Sequence, residues 1–152
     1  MSHKTKVLML EDLVADSMLI ERELRQASIE FVSKRVESQE AFIKALVTFQ
    51  PDIILSDYSL PQFSGLDALR LLKERRPDLP FILITGSLTE EVAVECMKEG
   101  AHDYILKTSL KRLPSAVLNA LAKRRTEQDK EKAEELYRLI AENTTDLICL
   151  LD

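Results

Sequence analysis

Three carboxylates, a hydroxyl and an amine carry the chemistry available to this sequence. Glu11 and Asp12 follow the apolar run Val7 to Leu10 directly. Asp57 follows Ile53-Ile54-Leu55-Ser56, Thr85 follows Phe81 to Ile84, and Lys107 follows Tyr104 to Leu106. Short continuous apolar runs suit strands buried on both faces of a parallel sheet. Polar groups at the C-terminal ends of such strands lie where open α/β sheets place their chemistry. Carboxylates gathered on one edge repel each other, so the cluster must either raise its pKa values or bind a cation. All-oxygen donors favour a hard ion, and few carboxylates with room for water suit Mg²⁺. A metal, an ammonium and a hydroxyl around one carboxylate would stabilise a phosphoryl group in transfer, with Asp57 as nucleophile and an acyl phosphate as product. A nuclease-like metal site is the alternative. It would need a water-activating base, and neither His3 nor His102 is placed to serve.

The elements that must position these groups are read from periodicity. The first strand, Val7 to Leu10, leads to a helix capped near Asp16 and reaching about Ala27, with Met18, Leu19, Leu24 and Ala27 at helical spacing. Phe31 to Val36 is more polar and reads as an edge strand. Ser38 opens a second helix with Ala41, Phe42, Ala45, Leu46 and Phe49 on one face, and Pro51 stops it. Ile53 to Ser56 is the third strand. The third helix runs from about Ser64 to Arg75, with Leu66, Leu69 and Leu72 facing inward. Phe81 to Ile84 is the fourth strand. Thr89 caps a helix through Glu99, and Gly100 is its left-handed cap. Tyr104 to Leu106 is the fifth strand. Pro114 suits the first turn of a fifth helix. Five strands alternating with helices predict a doubly wound, flavodoxin-like parallel sheet of order 2-1-3-4-5, an α/β fold. That order makes the first and third strands neighbours, so Glu11, Asp12 and Asp57 converge.

Composition bounds the rest. The chain has 152 residues, 45% hydrophobic and 31% charged, with a formal net charge of −5. That length suits one sizeable core. The negative balance argues against direct nucleic-acid binding. No apolar run approaches a membrane span or a signal-peptide core, which predicts a cytoplasmic protein with no membrane partner. Cys96 and Cys149 lack C-x-x-C spacing and suggest neither disulfide nor zinc. Three scattered glycines leave no dinucleotide or P-loop fingerprint.

Four stretches, V-L-M-L-E-D, I-I-L-S-D-Y-S-L-P-Q-F-S-G, F-I-L-I-T-G and G-A-H-D-Y-I-L-K, occur in that order over residues 7–107. Together they resemble the receiver domain of two-component response regulators, over about Lys4 to Ala122. The resemblance implies that Asp57 is the phosphoacceptor. It implies that Glu11, Asp12, Asp57 and the backbone carbonyl of Ser59 hold Mg²⁺, that Thr85 and Lys107 contact the phosphoryl oxygens, and that Thr85 and Tyr104 form the switch. The phosphoryl donor would be a sensor histidine kinase or a histidine phosphotransfer protein. The domain would be a signalling switch rather than an enzyme, acting only on its own phosphorylation state. Switching would alter the face made by helix four, strand five and helix five and so control a downstream domain. One position departs from the family: Thr108 stands where a proline after a cis peptide is usual. A cis bond before a non-proline costs about 3–4 kcal/mol, so a trans bond and an altered loop are expected.

Residues 1–122 thus form the expected receiver. Residues 123–142 are a charged linker or signalling helix, with twelve of twenty residues charged, six of each sign. Its thin apolar stripe at Ala133, Leu136, Leu139 and Ile140 permits a solvated helix or a two-chain coiled coil, hence a monomer or a homodimer. Residues 143–152 are expected to break the helix at Thr144 or Asp146 and begin a strand-like run, Leu147 to Leu151. With Leu136 onward, this tail resembles the entry to a PAS sensory domain, which would make the chain a fragment of a longer protein. Two other readings stand beside the switch. One is a receiver-fold dimerisation or interaction module that is never phosphorylated. The other is a flavodoxin-type ligand binder, which the loop E-D-L-V-A-D opposes because it lacks a phosphate cradle.

Overall fold

Continuous apolar runs build the centre of the molecule. The structure, a computed structural model, describes residues 3–86 and 89–151, with side chains described up to residue 143. Its strands are β1 (Thr5–Leu10), β2 (Phe31–Val36), β3 (Ile53–Ser56), β4 (Phe81–Thr85) and β5 (Asp103–Leu106). All pair in parallel, in the order β2-β1-β3-β4-β5. Helices α1 (Val14–Gln26), α2 (Gln39–Thr48), α3 (Gly65–Arg75) and α4 (Glu90–Lys98) alternate with them, and α5 (Leu113–Leu151) comes after a 3₁₀ turn at Lys107–Arg112.

The pleat sends alternate side chains to opposite faces. Leu8, Leu10, Ile54, Phe81 and Leu83 join α2, α3 and Cys96 of α4 in one core cluster. Val7, Met9, Ile53, Leu55, Ile82, Ile84 and Ile105 join α1 and the first turns of α5 in the other. Both faces of β3 are therefore covered, and every residue of β3 is buried. Each such aliphatic side chain contributes roughly 1.5–3 kcal/mol by burial. β2 alternates between half-buried and exposed along most of its length, as an edge strand does.

Helix boundaries obey local chemistry. Ser38 and Thr89 cap α2 and α4 by accepting from the amides of Ala41 and Val92. Ser64 and Asp67 form a reciprocal capping box at α3. Gly100 takes φ +105 after α4. Phe42, Ala45 and Leu46 are buried on α2, and Leu66, Leu69 and Leu72 on α3, as the periodicity predicts.

Three local expectations are corrected. Asp16 does not cap α1. The cap position is Leu13, which makes no side-chain cap bond, and Asp16 lies inside the first turn. The buried face of α1 is Ser17, Ile20 and Leu24, while Met18 and Leu19 are exposed. Only Leu24 of the predicted apolar set packs inward, because positions 17, 20 and 24 lie about three and four residues apart and so share one face. Finally, α5 does not break at Thr144 or Asp146, and no strand forms at Leu147 to Leu151. Asn143 to Asp146 contains neither Gly nor Pro, and its residues cost at most about 0.7 kcal/mol each in a helix. The side chains of that apolar run, Cys149 included, lie outside the described residues.

The chain divides into two compact units, Met1–Leu121 and Ala122–Asp152. In the first, Leu113, Ala116, Val117 and Ala120 bury one face of α5. In the second, every residue from Asp129 to Asn143 is exposed, Leu136, Tyr137, Leu139 and Ile140 among them. No helix among the described residues is long and apolar enough to cross a membrane.

The turn after β3 depends on Gly65. Its amide donates to the Tyr58 carbonyl at 2.8 Å, folding the loop back under Asp57. A Cβ there would lie 2.5 Å from the Asp57 carbonyl oxygen and 2.9 Å from Tyr58 Cα. Both neighbours are backbone and cannot swing away. Gly65→Ala is expected to destabilise the first unit by about 1–3 kcal/mol through overpacking, read as a lower urea midpoint. An unchanged midpoint would mean that the loop is looser than this packing implies.

Candidate functional site

Register places the polar groups. Leu10 pairs with Ser56, so Glu11 and Asp57 leave the β1–β3 ladder together. The Asp57 amide donates to the Leu10 carbonyl at 2.9 Å, and the Glu11 amide donates to the Val36 carbonyl at 3.1 Å. Arg35 of β2 donates to the Glu11 carbonyl at 3.0 Å. The backbone beneath both carboxylates is therefore pinned by neighbouring strands. One carboxylate oxygen from each of Glu11, Asp12 and Asp57 lies within 4.8 Å of the others.

Lys107 reaches into this cluster from the end of β5. Its Nζ donates to Asp57 Oδ2 at 2.9 Å and to Asp16 Oδ2 at 2.6 Å. It also lies 3.1 Å from Glu11 Oε2. Burial alone would lower the pKa of the ammonium, but its contacts with Asp16, Asp57 and Glu11 outweigh that and hold the pKa above its ordinary value. Lys107 stays charged throughout the working pH range.

Glu11 is the strained member. It is 1% exposed. Its Oε1 accepts from the Leu13 amide at 3.1 Å. Its Oε2 receives no aligned hydrogen bond, for the Lys107 contact is an ion-pair approach without donor alignment. Burial pushes the Glu11 pKa up to about 7, against the opposing pull of the Leu13 amide and Lys107, while the charge of Asp57 adds to the rise. The Lys107 ammonium offsets the charge of this buried oxygen at 3.1 Å but leaves it without an aligned hydrogen bond.

The residues present fit a hard divalent ion. Three carboxylates converge, one has a buried oxygen that accepts no aligned hydrogen bond, and no sulfur or imidazole ligand is among them. Mg²⁺ is held by few carboxylates with waters besides, and Glu11, Asp12 and Asp57 would supply such a donor set.

The other predicted residues are placed less centrally. Thr85 ends β4 and is buried. The Ser59 amide donates to Asp57 Oδ1 at 3.2 Å, so the described contact of Ser59 is its amide rather than its carbonyl. Tyr104 lies apart from the cluster, 38% exposed. It lines a groove of about 670 Å³ with Ala93, Val94 and Met97 of α4 and Leu106 of β5. Around Thr108 the chain contains no cis peptide among the described residues and forms the 3₁₀ turn Lys107–Arg112 instead, as the missing proline predicts. Ser109 interrupts that turn at φ −129, ψ 40.

Asp16 is the member that sequence reasoning missed. A carboxylate in the first turn of a helix reads as dipole or cap chemistry. The signal that could have identified it is the short link from Glu11 to α1, which keeps that first turn at the strand ends.

A family model for the response regulator receiver domain matches residues 7–118. The regulatory protein LuxO of Vibrio cholerae is 38% identical over 82 residues, which are 53% of this chain and 18% of that protein. The DNA-binding transcriptional regulator NtrC of Proteus hauseri is 32% identical over 104 residues, 68% of this chain and 22% of that protein. The matched segment thus spans about a fifth of each relative's length. A crystal structure of a response regulator receiver domain protein from Clostridium thermocellum superposes with a TM-score of 0.69 at 26% identity, covering 80% of this chain and 98% of that one. With the sheet order and the match over residues 7–118, these likenesses show that the chain belongs to the response regulator receiver domain family.

Proposed function

We propose that the chain is a phosphoacceptor switch, with Asp57 as the residue that takes the phosphoryl group. The observation that carries this reading is the contact of Asp57 Oδ2 with Lys107 Nζ, which also stands 3.1 Å from the buried Oε2 of Glu11. One oxygen of Asp57 is held by the ammonium and the other by the Ser59 amide. Both oxygens are thereby fixed in direction at the sheet edge. A phosphohistidine on a sensor kinase or phosphotransfer protein is the donor. The Asp57 carboxylate attacks phosphorus, the phosphorus–nitrogen bond breaks, and the neutral imidazole leaves after protonation.

Glu11, Asp12 and Asp57 would hold Mg²⁺, with the Ser59 carbonyl completing the protein ligands. When bound, the ion neutralises the charge that develops on the phosphoryl oxygens. Lys107 supplies the fixed positive charge opposite. Thr85, buried at the end of the neighbouring strand, supplies a hydroxyl to the new phosphoryl oxygens. Movement of Thr85 would release space for Tyr104, whose present position is partly exposed beside α4. The α4–β5–α5 face would then have two arrangements, biased by phosphorylation.

The region beyond the receiver takes its role from the same reading. Residues 123–142 act as a signalling helix, in keeping with a helix that continues to Leu151. The tail from residue 143 would enter a PAS-like domain, and the output beyond it would belong to the longer protein. The setting would be cytoplasmic, and the receiver itself would bind no nucleic acid.

Two measurements test this. Intact mass after incubation with acetyl phosphate should show a gain of one phosphoryl group that requires Mg²⁺ and is lost in Asp57→Asn. A gain that survives Asp57→Asn would move the acceptor elsewhere. No gain together with no Mg²⁺ binding would favour an interaction module instead, whereas no gain with Mg²⁺ bound would point to the Lys107–Thr108 loop or to a strict need for the cognate kinase.

The second measurement concerns Glu11. Its pKa is raised from 4.5 to about 7. Between those values the folded, metal-free protein binds more protons than the unfolded chain, so stability is full below 4.5, falls as pH rises toward 7 and then levels. The shift corresponds to about 3 kcal/mol. Glu11→Gln removes this fall. Urea unfolding from about pH 4 to about pH 8 without metal should show the variant gaining on the wild type as pH rises. Parallel profiles would show that Glu11 titrates normally. Mg²⁺ should bind the wild type more tightly at about pH 8 than at about pH 6, because the ion displaces a proton from Glu11.

A further inference from the structure

Asp16 makes the shortest contact in the cluster, yet the motifs that define the site leave it out. Its Oδ2 stands 2.6 Å from Lys107 Nζ, against 2.9 Å for Asp57 and 3.1 Å for Glu11. An ammonium has three donors. Two are aligned on Asp16 and Asp57, while Glu11 Oε2 receives none. Asp16 belongs to α1, whereas Lys107 opens the turn after β5. It therefore draws the ammonium toward the helix.

The loop makes such a tether useful. Thr108 leaves the Lys107 peptide trans and the turn beyond it irregular at Ser109. No proline ring fixes the direction in which Lys107 enters. Without Asp16, the nearest acceptors left to the ammonium are Asp57 and Glu11, whose buried Oε2 it already approaches at 3.1 Å without an aligned hydrogen bond. The ammonium would then close on and align with Glu11 Oε2 by simple electrostatics.

We propose that Asp16 is a positioning residue that draws Lys107 to the α1 side of the cluster and so keeps its hold on Glu11 Oε2 to a misaligned ion pair that a divalent cation can displace. This deepens the cation reading given above and rests on it. Asp16 need not touch the ion. It acts by loosening the hold of Lys107 on the oxygen that the ion requires.

A double-mutant cycle separates this role from bulk charge or folding. Mg²⁺ binding is measured by calorimetry on the whole chain, for wild type, Asp16→Ala, Lys107→Met and the double variant, with circular dichroism confirming the fold of each. Asp16→Ala should weaken Mg²⁺ binding about tenfold or more, as loss of an outer partner at a metal site does. In the Lys107→Met background the same change should cost less than about threefold, because only a screened distant charge is then removed. Asp16→Glu, which keeps the carboxylate, should recover most of the wild-type affinity. An equal loss in both backgrounds would overturn the proposal, since Asp16 would then act without Lys107. An unchanged affinity in Asp16→Ala would overturn it as well, with the cation reading intact. A wild type that binds no Mg²⁺ would remove the cation reading and the proposal together.

Discussion

The ammonium of Lys107 is what allows four carboxylates to share one edge of the sheet. Glu11, Asp12 and Asp57 converge within 4.8 Å, and Asp16 joins them through Lys107. Like charges at such separations repel by several kcal/mol at an intermediate dielectric. The single ammonium meets three of the four at 2.6–3.1 Å and still leaves a negative excess. That excess appears where burial is deepest, as the raised pKa of Glu11 and its oxygen that lacks an aligned hydrogen bond. The site is thus held part-way between proton, lysine and metal, each able to offset the same charge.

The scaffold makes this tension tolerable. Parallel pairing brings the C-terminal ends of β1, β3, β4 and β5 to one side, because every strand runs the same way. The β1–β3 ladder pins the backbone beneath Glu11 and Asp57. Arg35 holds the Glu11 carbonyl, and Gly65 lets the loop beyond β3 fold back against Asp57. Two packed faces resist collapse of the edge. The strain at Glu11 persists because the stability beneath it comes from apolar burial elsewhere.

Elements with strong local signals were legible in advance. β2, β3, the caps at Ser38 and Thr89 and the start of α3 near Ser64 fall where composition, spacing and capping chemistry put them. The parallel order was implied by alternating strands and helices, and with it the meeting of Glu11, Asp12 and Asp57. Less legible was the face of α1. Met18 and Leu19 are apolar yet exposed, while Ser17 is buried. Ser17 can be buried because its hydroxyl donates to the Val14 carbonyl at 2.7 Å, a bond that no apolar pattern reports. The end of α5 was misread for a related reason. Weak helix formers in the run N-T-T-D suggest a stop, but none of them forbids a helix.

The sequence by itself determined the sheet, its order and the strand-end residues, because apolar period and turn chemistry are local and parallel topology offers few alternatives. The absence of proline at position 108 also favoured the trans Lys107–Thr108 peptide that the structure contains. Only the tertiary structure decided where the charge of Lys107 goes. That depends on side chains separated by 91 residues at Asp16 and 50 at Asp57, and on which donors align within a few tenths of an ångström. The same is true of Glu11, whose raised pKa comes from burial created by the whole fold rather than from any neighbour in the chain. Spacing tells which groups can meet, but the sharing of one ammonium among several carboxylates is settled only by the packed geometry around them.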